Sequence, residues 1–411
     1  MATEGLRKFA RFLGIFLTAL ILSQPVFAQH VFTVLPHPIA GDENPVTFMR
    51  PFYAIHTAAG SKASVPPSSA FTPAQVRHAY GFDQISNQGA GQIIGIVDAF
   101  DDPNAEADLG VFDSQFGLPA CTTANGCFRK VYSAGKPVEN ANWDVEISLD
   151  IEWAHAMAPK ATILLVEVSG NSLSSLLAGV QTAVRDGASA VSMSWTVGEF
   201  NGESSYDNDF VASGVTFLAA AGDSGTGVAY PAVSPDVVGV GGTSLHLNSN
   251  GSYQSETAWS GSGGGISKFE REPLFQAQFP IPNDSKGYRG VPDVSYDADP
   301  STGVAVYDSI GINGAAGWFQ VGGTSAGAPQ WAALVVIVNS TRAAARKANL
   351  PSANTNLYSI AKSSMATDFH SVTSGTNGSC GTVCDASAGY DYVTGLGTPQ
   401  APSLVAALAG K

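Results

Sequence analysis

Residues 321–329 read Val-Gly-Gly-Thr-Ser-Ala-Gly-Ala-Pro, and an apolar run over 328–339 follows. Glycine tolerates positive φ, so the Gly-Gly pair permits a sharp turn. The apolar run predicts a buried helix with Pro329 in its first turn. Ser325 at the start of such a helix has two interpretations. It is a helix N-cap, or it is a nucleophile near free N–H groups that suit an oxyanion.

Apolar strand-like runs alternate with helical stretches from about residue 70 onward. Continuous apolar strands alternating with helices are typical of an α/β domain, whose mostly parallel sheet is covered by helices on both faces. We therefore expect one α/β domain over residues 70–411. The predicted strands lie at 93–98, 161–168, 190–195 and 215–220.

Composition limits the classes of function. Only 13% of the 411 residues are charged and the net charge is −14, which argues against nucleic-acid binding because phosphates require clustered Lys and Arg. Residues 1–28 have the basic start, apolar core and small cleavage residues of a secretory signal peptide. The apolar core is too short to favour a membrane span, and a retained anchor is the alternative. We expect a secreted monomer, extracellular or periplasmic, without stable membrane association.

Residues 29–69 lack periodicity and contain scattered prolines. We interpret them as a short leader, either a pro-segment or a linker. The four cysteines form two close pairs, Cys121/Cys127 and Cys380/Cys384. After export each pair is expected to form a disulfide across a small loop. A zinc site built from all four cysteines is the alternative, and the spacings fit it poorly.

Residues 145–159 contain two carboxylates whose setting is ambiguous. Alternating apolar residues over 145–151 favour a strand with a solvated acidic face. The continuation Trp-Ala-His-Ala-Met favours a helix that ends at Pro159. On a helix, Glu146 and Asp150 would lie one turn apart and could share a proton, which raises one pKa and leaves a base. Periodicity alone does not decide between these readings.

A nucleophilic serine needs a base, and subtilisin-type proteases, which share Gly-Thr-Ser-x-x-x-Pro, carry theirs in His-Gly-Thr-His. None of the seven histidines here is followed by Gly-Thr. The chain instead resembles the sedolisin family, the serine-carboxyl peptidases, over about residues 72–399. The motifs that carry the resemblance are Glu-x-x-x-Asp at 146–150, Ala-Gly-Asp-Ser-Gly at 221–225 and Gly-Thr-Ser-x-x-x-Pro at 323–329.

The resemblance implies a subtilisin-like three-layer fold and a role for each matched residue. Ser325 would be the nucleophile, Glu146 its general base, and Asp150 the carboxyl that orients Glu146. Asp223 would complete the oxyanion hole with the Ser325 N–H. A carboxylate would repel an oxyanion, so Asp223 must be protonated, and activity on peptide or denatured protein substrates should peak at acidic pH. Trp195 either extends the acid network or packs in the core.

Many members of the family also hold calcium near the C-terminus. The matching ligands here would be Asp391 and Ser371, with the carbonyls of Val372, Ser387 and Gly389. Serine stands where the family has its first aspartate, so we expect either a weaker affinity for calcium or an empty site. Asp368 is close but offset by three positions.

Two other functions compete with a serine-carboxyl peptidase. One is a catalytically silent secreted domain that binds peptides. The other is a subtilisin-type protease with an unusually placed histidine. The complete set of Ser325, Glu146, Asp150 and Asp223 favours the enzyme. The sequence does not distinguish an endopeptidase from a tripeptidyl-peptidase.

Overall fold

The computed structural model describes residues 32–34, 49–51, 54–56, 62–281 and 286–410. The signal-peptide prediction and much of the leader fall outside these ranges. None of the described helices is both long and apolar enough to cross a membrane.

The described residues form twenty strands, which are numbered in chain order. They are β1 (Phe32–Val34), β2 (Arg50–Pro51), β3 (Ala54–His56), β4 (Lys62–Ala63), β5 (Ile93–Ala99), β6 (Phe128–Tyr132), β7 (Thr162–Val168), β8 (Ala190–Met193), β9 (Trp195–Gly198), β10 (Thr216–Ala220), β11 (Ala229–Tyr230), β12 (Val237–Leu247), β13 (Tyr253–Ala258), β14 (Gly265–Arg271), β15 (Tyr288–Val291), β16 (Val294–Asp297), β17 (Val304–Ile312), β18 (Ala315–Gly322), β19 (Phe369–His370) and β20 (Thr398–Pro399).

Within the same described ranges, eight α-helices connect or flank these strands. They are α1 (Pro73–Tyr80), α2 (Ala105–Phe116), α3 (Ala141–Met157), α4 (Leu173–Arg185), α5 (Leu274–Ala277), α6 (Thr324–Ala344), α7 (Ala353–Asp368) and α8 (Ala401–Gly410). Short 3-10 turns lie at Phe82–Gln84, Glu203–Phe210, Pro300–Thr302 and Gly381–Val383.

The central sheet has the order β13-β12-β10-β8-β5-β7-β6, with β16 also paired to β12. Every pairing between β6 and β12 along this path is parallel, as is the pairing of β16 with β12; only β13 is antiparallel. The four predicted strands correspond to β5, β7, β8 and β10, and the third prediction, 190–195, also reaches the first residue of β9. This confirms the predicted α/β class with a mostly parallel sheet.

Helices cover both faces of this sheet. A Cβ on Gly95 would meet Ala183 and Ala188 at the end of α4, so this residue of β5 faces α4. Successive residues of a strand point to opposite faces, so Asp98 points to the other face, where α3 and α6 pack. The apolar residues of α6 are buried along its length, as expected for a helix that is hydrophobic all round.

A second sheet brings the leader against the domain. Its order is β1-β3-β18-β17, and β4 also pairs with β18. In addition, β2 lies on the edge of β9 in a three-stranded sheet of order β11-β9-β2. Three of the described leader strands, β2, β3 and β4, therefore pair with strands of the domain, whereas β1 pairs with β3.

Candidate active site

Ser325 is the second residue of α6 and is fully buried. Gly323 precedes the helix with φ +115°, a conformation that glycine adopts readily. The helix begins at Thr324, so Pro329 lies in its second turn. The prediction that placed Pro329 in the first turn is wrong. The apolar run marked only the buried middle of the helix, whereas the glycine marks its start. Ser325 is not the N-cap.

The position of Pro329 frees the main-chain carbonyl of Ser325. In an α-helix this carbonyl would accept from the N–H four residues later, which proline lacks. The Ser194 hydroxyl lies 3.4 Å from the Ser325 carbonyl and 2.8 Å from Asp150 Oδ1. A hydroxyl carries one proton, so the shorter bond to Asp150 is the principal one. Ser194 thus links the nucleophile's helix to the carboxylates.

The segment that carries Glu146 and Asp150 is helical. It forms α3, with Asn140 as N-cap accepting from the N–H of Asn142. Its residues from Trp143 to Met157 are buried, because α3 lies between α6, the central sheet and β17. The strand reading is therefore wrong: the apolar alternation reflects burial on all sides.

Burial governs the charge of the Glu146 and Asp150 carboxyls. Removal from water raises the pKa of Glu146 well above its usual value, and the neighbouring charges of Asp150 and Asp98 raise it further. The pKa of Asp150 is raised by the same burial and by Asp98. Three carboxyls so close cannot all ionise, so they share protons as a group.

Asp98 is the residue that the sequence reasoning missed. It is fully buried at the end of β5, neither carboxylate oxygen has a hydrogen-bond partner, and burial raises its pKa to about 7. Its position after a predicted parallel strand was the available signal, because ligands and reactive groups collect at the carboxyl edge of such sheets. Ser194, after β8, carried the same signal.

Ser325 Oγ and both Glu146 carboxylate oxygens are buried without a hydrogen-bond partner. The Ser325 hydroxyl is nevertheless close enough to Glu146 to lower its pKa against the stronger effect of burial. Nucleophile–base hydrogen bonds are often long before substrate binds. The pair is placed for proton transfer from Ser325 to Glu146.

Asp223 follows β10 and contacts the start of α6. Its Oδ1 accepts from the N–H and the hydroxyl of Thr324, both at 2.8 Å. The same hydroxyl accepts from Gly222 N–H at 3.0 Å. The residue is partly exposed, but its Oδ2 is buried without a partner, and burial raises its pKa to about 7. Oδ2 is therefore the oxygen available to carry a proton.

Three of the described histidines have side-chain contacts, and none of these contacts involves Ser325. His78 bonds Asp83 at 2.8 Å, and His155 Nε2 lies 2.8 Å from the Pro119 carbonyl. Burial lowers the pKa of His155 to about 4. His370 stacks on Tyr253. The contacts of these three side chains give no support to a histidine base.

Trp195 packs in the core. It is fully buried, and its indole N–H donates to the Val97 carbonyl at 2.8 Å. The indole donor is therefore used by the backbone, which favours the packing interpretation over a place in the acid network.

Both cysteine pairs form disulfides, Cys121–Cys127 and Cys380–Cys384, as predicted. Cys121, Cys127 and His155 place possible ligand atoms close together. Metal binding requires thiolates, which a disulfide does not provide. The four-cysteine zinc alternative is not supported.

The expected calcium ligands do not fit the ion. Asp391 Oδ1 accepts from the N–H groups of Val393 and Thr394, and Oδ2 accepts from the Thr394 hydroxyl and the Ser387 N–H, all at 2.8–3.1 Å. These four bonds use the acceptor sites of the carboxylate. Ser371 is exposed and neutral. Val372 is buried, and Gly389 is half-buried with φ +92°.

Geometry and sequence both define a subtilase-type site with carboxyls in place of histidine. The profile described as "Subtilase family" matches residues 134–369. The chain is 34% identical over 387 residues to kumamolisin of Bacillus sp. (strain MN-32), covering 85% of this chain and 65% of that protein. It is 28% identical to sedolisin of Pseudomonas sp. (strain 101), covering 75% of this chain and 56% of that protein.

The chain belongs to the subtilase family and, within it, to the sedolisin family. Pseudomonas sedolisin, a serine-carboxyl proteinase solved with two molecules of pseudo-iodotyrostatin, matches the structure with TM-score 0.69 and 24% identity. That match covers 86% of this chain and 100% of the solved chain, and it establishes the subtilisin-like fold alone. The chain spans less than two thirds of the length of the two curated relatives.

Proposed function

We propose that this chain is a serine-carboxyl peptidase that hydrolyses peptide bonds at acidic pH. One observation carries the proposal: Ser325, at the free N-terminus of α6, is buried beside a proton-sharing group of carboxyls on α3 and β5. A core packed only for stability does not need several carboxyls with unpartnered oxygens around a serine, because each costs free energy to bury.

In the acylation step, Ser325 Oγ attacks the substrate carbonyl carbon while Glu146 accepts the hydroxyl proton. Asp150 is held by Ser194 and orients Glu146, and Asp98 adds a second shared proton to the group. Glu146 then gives its proton to the leaving amine as the C–N bond breaks. Water, deprotonated by Glu146, attacks the ester and regenerates Ser325.

The oxyanion forms near the first turn of α6. The Ser325 N–H has no intrahelical acceptor there. Protonated Asp223 donates from Oδ2, while Thr324 fixes its other oxygen. Because burial raises the pKa of Asp223 to about 7, this donor is present in acid and is lost as the pH rises through neutrality.

The substrates are peptides or denatured proteins. The enzyme cuts them internally or releases tripeptides from them. Tripeptidyl-peptidase sed4 of Aspergillus fumigatus is 30% identical over 237 residues, so release of tripeptides stands beside internal cutting as a possibility. The signal-like residues 1–28 support a secreted protein. No step is assigned to calcium.

Hydrolysis of acid-denatured haemoglobin at pH 4 tests the proposal. Ser325→Ala and Glu146→Ala should each lower kcat by at least about 10³-fold while the thermal transition is retained. Inhibition by a peptide aldehyde should accompany the wild-type activity. A wild-type protein that binds peptides without cutting them would instead indicate the silent binding domain.

A further inference from the structure

The segment that follows Asp223 is attached to the rest of the protein by main-chain hydrogen bonds. Gly225 N–H donates to the Gly261 carbonyl, and Thr226 N–H donates to the Asn377 carbonyl, both at 2.8 Å. Thr226 is exposed, so its side chain is not held by packing in the core. A Cβ on Gly225 would lie only 2.8 Å from the same Asn377 carbonyl. Asn377 therefore forms part of the surface against which this segment rests.

Asn377 is also connected to the chain on the other side of Asp223. Its Nδ2 donates to the Ser262 carbonyl at 2.9 Å. The next residue, Gly263, donates its N–H to the Gly222 carbonyl at 2.6 Å. Asn377 is 4% exposed, so water does not compete strongly for these contacts. One buried asparagine is thus linked to the residues both before and after Asp223.

Hydrogen bonds continue from Gly222 to the oxyanion site. Gly222 N–H donates to the Thr324 hydroxyl at 3.0 Å, and this hydroxyl donates to Asp223 Oδ1 at 2.8 Å. Thr324 directly precedes Ser325. A continuous series of hydrogen bonds and peptide units therefore runs from Asn377 to the carboxyl that donates to the oxyanion.

Asn377 is itself fixed by a short hairpin over residues 375–386. The two arms pair antiparallel, and Asn377 N–H donates to the Cys384 carbonyl at 3.0 Å. A disulfide between Cys380 and Cys384 closes the tip, and a Cβ on Gly378 would lie 2.9 Å from Cys384 Sγ. A two-stranded hairpin is marginally stable in water by itself. The cross-link therefore restrains the arm that carries Asn377.

We propose that Asn377 is a positioning residue for Asp223, and that the Cys380–Cys384 disulfide keeps it in place. With the disulfide closed, Asn377 holds residues 222–226 where the oxyanion donor must lie. With the disulfide open, the hairpin loosens, the Asn377 bonds weaken and Asp223 is aligned less well. Peptidase activity then requires the oxidised hairpin, a state that persists outside the cell. This inference rests on the proposed function.

The disulfide can be reached by a reductant from solvent. Cys380 is exposed, whereas Cys384 is fully buried. A phosphine attacks a sulfur of the disulfide and, with one water molecule, leaves two thiols and a phosphine oxide. The other disulfide, Cys121–Cys127, lies beside His155 and is the internal comparison for any effect of reduction.

Asn377→Ala tests the positioning role. Loss of the Nδ2 donor should lower kcat about 10- to 100-fold, because a misplaced donor stabilises the transition state poorly. KM should stay within about twofold, since the donor acts in the transition state. Burial raises the pKa of Asp223 to about 7, so water admitted beside it should lower this pKa. The alkaline limb of the kcat/KM profile should therefore move to lower pH.

Ser379→Ala is the matched control, because it changes an exposed residue of the same hairpin. It should keep the wild-type kcat and the wild-type alkaline limb. A lower Tm in Asn377→Ala without any shift of the limb would indicate a purely structural role and overturn the positioning role.

Reduction tests the disulfide in the folded wild-type protein. Tris(carboxyethyl)phosphine at pH 4 should lower kcat about 10-fold, and reoxidation should restore it. The Cys380→Ala/Cys384→Ala double variant should have the lower kcat from the start and should not respond to the reductant. An equal response of the double variant and the wild type would assign the effect to Cys121–Cys127 and overturn the inference.

Amide hydrogen exchange of the Ser325→Ala protein measures the coupling without activity. Reduction should accelerate exchange over residues 222–227 at least about 10-fold, because their N–H groups open more often. Unchanged exchange and unchanged kcat would overturn the inference and leave the peptidase standing. A wild-type protein that cuts no peptide would overturn the peptidase and the positioning role together.

Discussion

Asp223 and Thr324 are joined by two hydrogen bonds to a single carboxylate oxygen, from the N–H and the hydroxyl of Thr324, both at 2.8 Å. The other oxygen is left free and buried. Thr324, the neighbour of Ser325, thus decides which oxygen of Asp223 is available to carry a proton. The sequence places the two residues about 100 positions apart.

Thr324→Val tests this arrangement. The substitution keeps the side-chain shape but removes the hydrogen bond from the hydroxyl. That bond lowers the pKa of Asp223, so its loss should raise this pKa. We therefore expect kcat to fall about 10- to 100-fold. The alkaline limb of the pH profile should move to higher pH, because Asp223 in the variant stays protonated to higher pH. Thr324→Ser is the control and should retain both kcat and the limb.

Asp223→Asn separates the need for a donor from the need for acid. An amide donates at every pH, whereas the carboxyl donates only below its pKa of about 7. We expect lower activity at pH 4 but a kcat/KM that no longer declines between pH 6 and 8. The check is a kcat/KM profile on one peptide for both proteins. A decline unchanged in the variant would assign the limb to another group.

Asp98→Asn removes one charge from the shared group. Burial and that charge both raise the pKa of Asp150, so the variant should have a lower Asp150 pKa and an acid limb shifted to lower pH. We expect kcat to fall about 10- to 100-fold. A merely structural role would lower the Tm without moving the limb, so both are measured on the same preparation.

Stability should decrease as the pH rises. Burial raises the pKa of several carboxyls outside the site to about 6–8, so the folded protein holds protons that the unfolded chain releases above about pH 4. The stabilisation is complete below pH 4 and is lost as the pH rises through 6–8. The carboxyls concerned are Asp102, Asp113, Asp144, Glu203 and Asp308.

Melting curves of the Ser325→Ala protein from pH 3.5 to 8.5 measure this effect without self-digestion. The Tm should fall between pH 5 and 8. Asp144→Asn, which cannot ionise, should flatten the curve, whereas Asp385→Asn at an exposed position should not. A Tm that rises toward neutral pH would contradict the expectation.

The sequence by itself determined the class of fold and most of the reactive side chains. Period and apolar runs are local properties, and four strands of the central sheet, β5, β7, β8 and β10, lie where these predicted them. Ser325, Glu146, Asp150 and Asp223 were found from motifs, because a short spacing specifies a turn or one face of a helix.

Only the tertiary structure decided how these residues act together. Periodicity did not reveal that Glu146 lies on a helix, because burial on all sides made its apolar pattern ambiguous. Asp98 joins it only because β5 ends beneath α3. The leader's pairing with β9 and β18 depends on contacts across more than 100 residues. Such contacts depend on which surfaces meet in the folded chain, and local periodicity carries no record of them.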